Sequence, residues 1–231
     1  MIYLTGDTHG DFKRIKQFCK EQQTSKENDL LIIMGDAGIN YYGNTKGDIK
    51  LKRTLRNLPI QFFIIRGNHE NNPENIPTYT YKEFAENVVL YEPEFPNLMF
   101  ALDGRVYRLQ DKTIWVMGGA YSVDKIYRLT QGWKWFSDEQ PSDTHKLIGL
   151  VNLQLRDWKV DYVMTHTCPY NYIPRETFLP FIEQDTVDNT TEKWLQQIED
   201  KIDYLIWFCG HYHTDKWDNK IRFLFKDIIE L

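Results

Sequence analysis

Five apolar runs in this chain each end in an aspartate, asparagine or histidine. Ile2-Tyr3-Leu4 leads through Thr5-Gly6 to Asp7 and His9, with Gly10 beyond. Leu30 to Met34 leads through Gly35 to Asp36, and Phe62 to Arg66 leads through Gly67 to Asn68-His69-Glu70. Tyr162 to Thr165 leads to His166, and Leu205 to Cys209 leads through Gly210 to His211-Tyr212-His213. Short runs rich in β-branched and aromatic residues read as buried strands. In an α/β sheet, the C-terminal edge of the strands is where ligands bind. The glycines allow a tight turn and a close backbone approach just there. One such ending would be compatible with a simple strand-to-helix turn. Five of them gather carboxylates, an amide and imidazoles at one edge.

Composition bounds what that edge can serve. The 231 residues suit one domain with its own core, taken as 1–231, and 42% hydrophobic residues exclude a disordered chain. A net charge of -5 argues against a general nucleic-acid or membrane-surface binder. It leaves open a small anionic substrate held by metal ions. Cys19, Cys168 and Cys209 are widely spaced, with no Cys-x-x-Cys, so neither a disulfide framework nor a zinc ribbon is expected. Cys168 and Cys209 read as buried, inert thiols, and a reducing cytoplasm fits the cysteine pattern. The first run begins at Ile2, which leaves no room for a signal peptide, and no apolar run is long enough to span a bilayer.

Between the runs, the 3.6-residue period predicts helices. Phe12, Ile15, Phe18 and Cys19 share a face over 11–20, with Asp11 as the cap. Leu51, Leu55 and Leu58 form a stripe that stops before Pro59. Ile148, Val151, Leu155 and Trp158 suit a helix in which His145 is solvated. Asn189 and Glu192 form a possible capping box for a helix carrying Trp194, Leu195, Ile198 and Ile202. Short strands are expected at 88–91, 98–102, 106–109, 114–117 and 221–225. Asp103-Gly104 is a hairpin signal, and this antiparallel stretch is expected to form the second sheet. Segments 37–47, 71–77, 123–142 and 169–187 read as loops.

Asp, His and Asn side chains suit divalent ions such as Mn²⁺, Fe²⁺ and Zn²⁺. The candidates are Asp7, His9, Asp36, Asn68, His166, His211 and His213, too many for one ion and about right for two. Two ions ~3.5–4 Å apart, sharing a carboxylate, lower the pKa of a common water and clamp an in-line phosphoryl displacement.

In the order Gly6-Asp7-Thr8-His9, Gly35-Asp36, Gly67-Asn68-His69-Glu70, His166 and Gly210-His211-Tyr212-His213, the chain resembles the calcineurin-like metallophosphoesterases over nearly its whole length. The resemblance implies an α/β fold (α+β by some schemes): a two-sheet β-sandwich flanked by helices, in four layers. It implies that Asp7, His9 and His213 hold one metal, that Asn68, His166 and His211 hold a second, and that Asp36 bridges them. A hydroxide between the ions would attack phosphorus in line. His69, not a ligand, would stabilise the transition state or protonate the leaving oxygen. The chain departs from the family where many members carry Gly-Asp-x-x-Asp: Ile39 stands at the last position, and Tyr41 and Tyr42 lie where protein phosphatases carry a nearby arginine. A protein phosphatase is therefore disfavoured. The partner of His69 is left to Glu70, Asn40 or a residue of 120–142.

The expected function is hydrolysis of phosphoric esters, mono- or diesters, by a cytoplasmic enzyme with two divalent ions. Manganese is the first choice, with Fe, Zn²⁺, Co²⁺ and Ni²⁺ as alternatives. Loops 120–142 and 169–188 would partly cover the site, which favours a small phosphorylated or nucleotide-like substrate over extended nucleic acid, with no membrane partner. Lys125, Arg128 and Arg175 are candidates to grip phosphate oxygens. The rival readings are a catalytically silent scaffold on this fold, which would lose ligands, and a nuclease, which would want a basic groove.

Overall fold

The structure is a computed structural model, and it describes residues 1–178 and 186–231. Of the loop expected over 169–188, residues 179–185 lie outside the described residues. The chain begins with β1 (Ile2–Thr5), α1 (Lys13–Gln22), β2 (Leu30–Ile33), α2 (Lys46–Arg56) and β3 (Gln61–Ile64). A meander of β4 (Thr80–Phe84), β5 (Asn87–Tyr91) and β6 (Leu98–Ala101) follows, then the hairpin of β7 (Val106–Leu109) and β8 (Lys112–Met117). Next come α3 (Lys125–Thr130), α4 (Asp143–Gln154), β9 (Tyr162–Thr165), α5 (Thr190–Glu199) and β10 (Ile206–Cys209). The chain closes with β11 (Lys216–Asp218), β12 (Ile221–Phe223) and β13 (Ile228–Glu230).

The strands form two mixed sheets, in the orders β13-β1-β2-β3-β6-β5-β4 and β11-β12-β10-β9-β8-β7. Parallel pairs join β1, β2, β3 and β6 in the first sheet, and β8, β9, β10 and β12 in the second. Strands buried on both faces need no polar alternation, and β2 shows the consequence. Leu30 and Ile32 point into the core between the sheets, where they meet Val116, Met164 and Phe208. Leu31 and Ile33 point outward to Ile15, Cys19 and Leu55 of α1 and α2. On the far side, Trp115, Val163 and Trp207 pack against Leu153, Leu195 and Ile198 of α4 and α5. The layers are therefore helix, sheet, sheet, helix: an α/β sandwich, as expected.

Several local expectations fail for tertiary reasons. The stretch expected to form the second sheet is split: β4 to β6 extend the first sheet, and β7 and β8 begin the second. Asp103-Gly104 is the crossing between sheets, where the Asp103 carboxylate takes the Arg66 guanidinium at 2.9 Å. The β4–β5 hairpin turns on Ala85 and Glu86, both left-handed, residues that give no turn signal. A short helix, α3, occupies part of 123–142. In α4 the buried positions are Gly149 and Leu153, while Val151 and Leu155 are exposed, so the anticipated face is the wrong one. His145 is not solvated: Nε2 lies 3.0 Å from Glu74, and Nδ1 lies 3.7 Å from Asp103. Asp11 accepts the Lys13 N–H, but the cap residue of α1 is Phe12. Asn189 caps α5 without a side-chain bond, and Glu192 is buried against Thr167, so no capping box forms.

Candidate metal centre

The C-terminal edges of the two parallel sets meet, and all seven ligand candidates lie there. Asp7 follows β1, Asp36 follows β2 and Asn68 follows β3, while His166 follows β9 and His211 and His213 follow β10. The two sheets are tied at this point. The Nδ1 of His166 lies 2.8 Å from the carbonyl of Met34, and the His211 N–H donates to the Asp7 carboxylate. Two glycines are fixed by close approach. A Cβ on Gly35 would lie 1.9 Å from His166 Nδ1, and one on Gly67 would lie 1.9 Å from Asp36 Oδ1. His9, Asp36, His211 and His213 all have left-handed backbones. Such conformations cost of order 1–3 kcal/mol each and concentrate at functional sites.

The carboxylates are held by one oxygen and bare at the other. Asp7 Oδ1 accepts the His211 N–H at 3.0 Å, and Asp36 Oδ1 accepts the His69 N–H at 2.8 Å. Asp7 Oδ2 and Asp36 Oδ2 are buried with no hydrogen-bond partner. Imidazoles face them instead: His213 Nε2 at 3.2 Å and His9 Nε2 at 3.7 Å from Asp7 Oδ2. Asp36 Oδ2 lies between His9 Nε2 at 4.0 Å and His166 Nε2 at 3.7 Å. His9 Nε2 and His213 Nε2 are 3.0 Å apart. Buried polar atoms left without partners are uncommon unless an ion, water or ligand completes them.

The His166 side chain shows what would complete them. Its Nδ1 needs a proton to meet the Met34 carbonyl, so Nε2 carries a lone pair unless the ring is charged. In front of Nε2 lie Asn68 Oδ1 at 2.8 Å and the Asp36 carboxylate, both acceptors. The Asn68 amide is oriented by its Nδ2, which donates to Ser122 Oγ at 2.8 Å, and Ser122 in turn donates to Glu139. With Nε2 unprotonated, three acceptors converge on one point, which suits a cation. Burial opposes a charge on His166, but Asp36 and Asp7 outweigh it and push its pKa up to about 9, so a cation binding there would displace a proton from Nε2. Burial, helped by His166, pushes His211 down to about 3, which keeps that imidazole neutral as a ligand must be. Burial works against ionised Asp36, yet His166 and His69 hold its pKa well below the usual carboxylate value.

Among the described residues, two groups have ligand atoms close enough together to hold an ion: buried Asp7 with exposed His9 and His213, and the buried set Asp7, Asp36 and His166. These donors fit divalent cations.

His69 stands beside them, its ring 5.8 Å from that of His9. Burial lowers its pKa against the pull of Asp36, and Arg128 lowers it further. Ile39 is fully buried in the apolar core. The Asn40 amide is engaged by Tyr79 through both of its ends. The Glu70 carboxyl faces the backbone N–H groups of Ala37, Ile39 and Asn40, short of full hydrogen bonds, and burial pushes its pKa up to about 8. Asp124 and Arg128, from the 120–142 segment, act on His69 electrostatically and join each other through Nε and Oδ2 at 2.7 Å.

Two cavities open at His69. One, of about 370 Å³, is also lined by Asp36, His211, His213, Asp124, Glu192 and Tyr212. The other is lined by His9, Tyr41, Arg128 and Trp133. Of the three phosphate-gripping candidates, Arg128 shares a cavity with His69 among the described residues. Lys125 Nζ stands 3.9 Å over the ring of Trp135, and Arg175 is exposed beside Tyr170. Ser122, Glu139, Asp124 and Glu192 escaped the sequence reading, because each reaches the centre through a contact distant in the chain. All three cysteines are buried and free, and burial raises their thiol pKa values.

No curated protein matches the chain in sequence. Among solved structures, the phosphopantetheinyl hydrolase PptH from Mycobacterium tuberculosis aligns at 12% identity over 96% of this chain and 86% of its own, with a TM-score of 0.49. The protein of unknown function AQ665 from Aquifex aeolicus aligns at 14% identity over 75% of this chain and 81% of its own, with a TM-score of 0.30. No helix among the described residues is long and apolar enough to cross a membrane. The family model for calcineurin-like phosphoesterases matches residues 1–215, so the chain belongs to that family, most of whose members hydrolyse phosphoric esters.

Proposed function

We propose that the protein hydrolyses small phosphoric esters with two divalent cations, Mn²⁺ first among them. The observation that carries this reading is the pair of buried, unpartnered carboxylate oxygens on Asp7 and Asp36, each faced by imidazole nitrogens. Asp7, His9 and His213 would hold one ion, and Asn68, His166 and His211 the other. Asp36 would reach both, since its free oxygen lies between His9 and His166. When bound, such ions polarise phosphoryl oxygens and lower the pKa of water.

The remaining work falls to this chain's own residues. The Met34 carbonyl and Ser122 set the direction of His166 and Asn68. His69, tied to Asp36 through its backbone, presents its imidazole to the cavity, where it donates a proton or hydrogen bond to the leaving oxygen. Arg128, in the neighbouring cavity with its Nε taken by Asp124, has guanidinium N–H groups to offer a phosphate oxygen. A cavity of about 370 Å³ with no Lys or Arg in its described lining supports a small substrate over a long polynucleotide. A cytoplasmic setting accords with the free thiols.

The test is removal and return of metal. Chelation and dialysis should abolish hydrolysis of 4-nitrophenyl phosphate, Mn²⁺ should restore it, and elemental analysis should return two ions per chain. Full activity in metal-free protein would refute the reading.

A further inference from the structure

The cavity of about 370 Å³ beside the ligand cluster has an acidic lining that ester hydrolysis does not require. Asp124, Asp188 and Glu192 all line it, and no Lys or Arg does among the described residues. Asp188 accepts from the backbone and hydroxyl of Thr190 and from Gln140 Nε2. Asp124 Oδ1 is buried with no hydrogen-bond partner, but its Oδ2 takes the Arg128 guanidinium, which balances its charge. Glu192 pairs with no Lys or Arg among the described residues. It is only 3% exposed, its Oε1 accepts Thr167 Oγ1 at 2.7 Å, and its Oε2 is buried with no partner. A buried carboxyl oxygen without a donor loses its hydration with nothing to replace it. Nor does the α5 N-terminus use Glu192 as a cap, so local structure does not explain it.

Tyr121, Phe178 and Tyr212 add aromatic surface to the wall, which also carries Asp36, His69, His211 and His213 of the ligand cluster and its surroundings. Aromatic faces beside a carboxylate attract an alkylammonium group, through the ring quadrupole and the charge together. The phosphate, by contrast, would lie against Asp36, His211 and His213, which line the same cavity.

Resting on the phosphoesterase reading of the adjoining cluster, we propose that this cavity receives the alcohol half of the substrate and that this half carries a cationic amine, which donates to Glu192 Oε2. The substrate class is thus a zwitterionic amino-alcohol phosphate. Glu192 is a specificity-determining residue. It selects the alcohol and takes no part in the displacement at phosphorus.

The test uses the full-length, Mn²⁺-loaded protein and phosphonates, whose carbon–phosphorus bond is not hydrolysed. Affinities of ω-aminoalkylphosphonates with two to six carbons are measured by titration calorimetry against unsubstituted alkylphosphonates of equal length. At the best length the amine should bind ~10-fold more tightly, the scale of one charge-assisted hydrogen bond. Glu192→Gln, checked for wild-type melting and metal content, should bring the pair within about twofold. Equal affinities in the wild type, no binding of either series, or an undiminished preference in Glu192→Gln would overturn the proposal. If Glu192→Gln does not fold, the wild-type comparison decides by itself. Hydrolysis of 4-nitrophenyl phosphate, measured separately, reports on the phosphoesterase reading alone, so the two can fail independently.

Discussion

The two halves of the ligand cluster are built differently. The inner half is sealed: the His166 side chain is fully buried, Asn68 is 1% exposed, and each is held by a polar partner behind it. The outer half is open: the side chains of His9 and His213 are 38% and 48% exposed, and they meet each other at 3.0 Å. His213 is steadied by the stacked ring of Phe225, 4.6 Å away, and not by a buried hydrogen bond. A sealed site loses an ion slowly because both ion and ligands must be resolvated, whereas an open one exchanges it through water. We therefore expect the outer ion to leave first on dialysis, with the inner one retained.

Asp36 stands between the halves, so its replacement should break the comparison altogether. In the proposed two-cation centre, Asp36→Asn would put a neutral amide where both cations need a charge. Loss of a supporting partner costs 10–100-fold in metal affinity, and loss of this shared ligand should exceed ~100-fold at both positions. Elemental analysis of the variant after dialysis measures it. Two ions held at wild-type affinity would show that Asp36 does not join the halves.

His69→Ala should keep both ions yet lose rate, because the imidazole belongs to neither half. The expected loss is ~10²–10⁴-fold on alkyl phosphates and much less on 4-nitrophenyl phosphate, whose leaving oxygen hardly needs a proton. The readout is kcat on both esters beside metal content. Equal losses would point to charge stabilisation instead, and a missing ion would make His69 a ligand.

Ser122→Ala acts on one half alone. It frees the Asn68 amide to rotate, and should weaken the inner ion by ~10–100-fold while leaving the outer one unchanged. A competitive titration with a metallochromic chelator resolves the two constants, and an equal change in both would end the distinction between halves.

The smallest effect lies beneath the inner half. Arg66, just before Gly67 and Asn68, is gripped by Asp103, and His145 sits between Asp103 and Glu74. The hydrogen bond to Glu74 raises the His145 pKa above its ordinary value of 6.5. The fold therefore favours charged His145. Its contribution is complete below pH ~6.5 and fades as pH rises through the higher folded value. Denaturant unfolding should show wild type losing stability across that interval and His145→Gln losing less. Identical pH profiles would remove His145 from the support of the inner half.

The candidate ligands were legible as a group because each follows the end of a strand, so residue type and strand pattern occur within a few positions of each other. The loop lengths and sheet membership were not. Asp103-Gly104 has the composition of a hairpin, yet its carboxylate is claimed by Arg66 and the chain changes sheets there. The Ile148–Trp158 stripe has helical spacing, but the packing surface is on the other face of α4.

The sequence by itself determined the family, the parallel strand edges and the kind of atom offered at each edge, since those follow from local periodicity and residue chemistry. Only the tertiary structure decided which atoms face one another. It left one oxygen each of Asp7, Asp36 and Glu192 bare, turned the Asn68 amide through Ser122, 54 positions away, and put Glu192 against Thr167, 25 positions away. Hydrogen-bond geometry and burial depend on distances across the fold, and no short stretch of chain contains them.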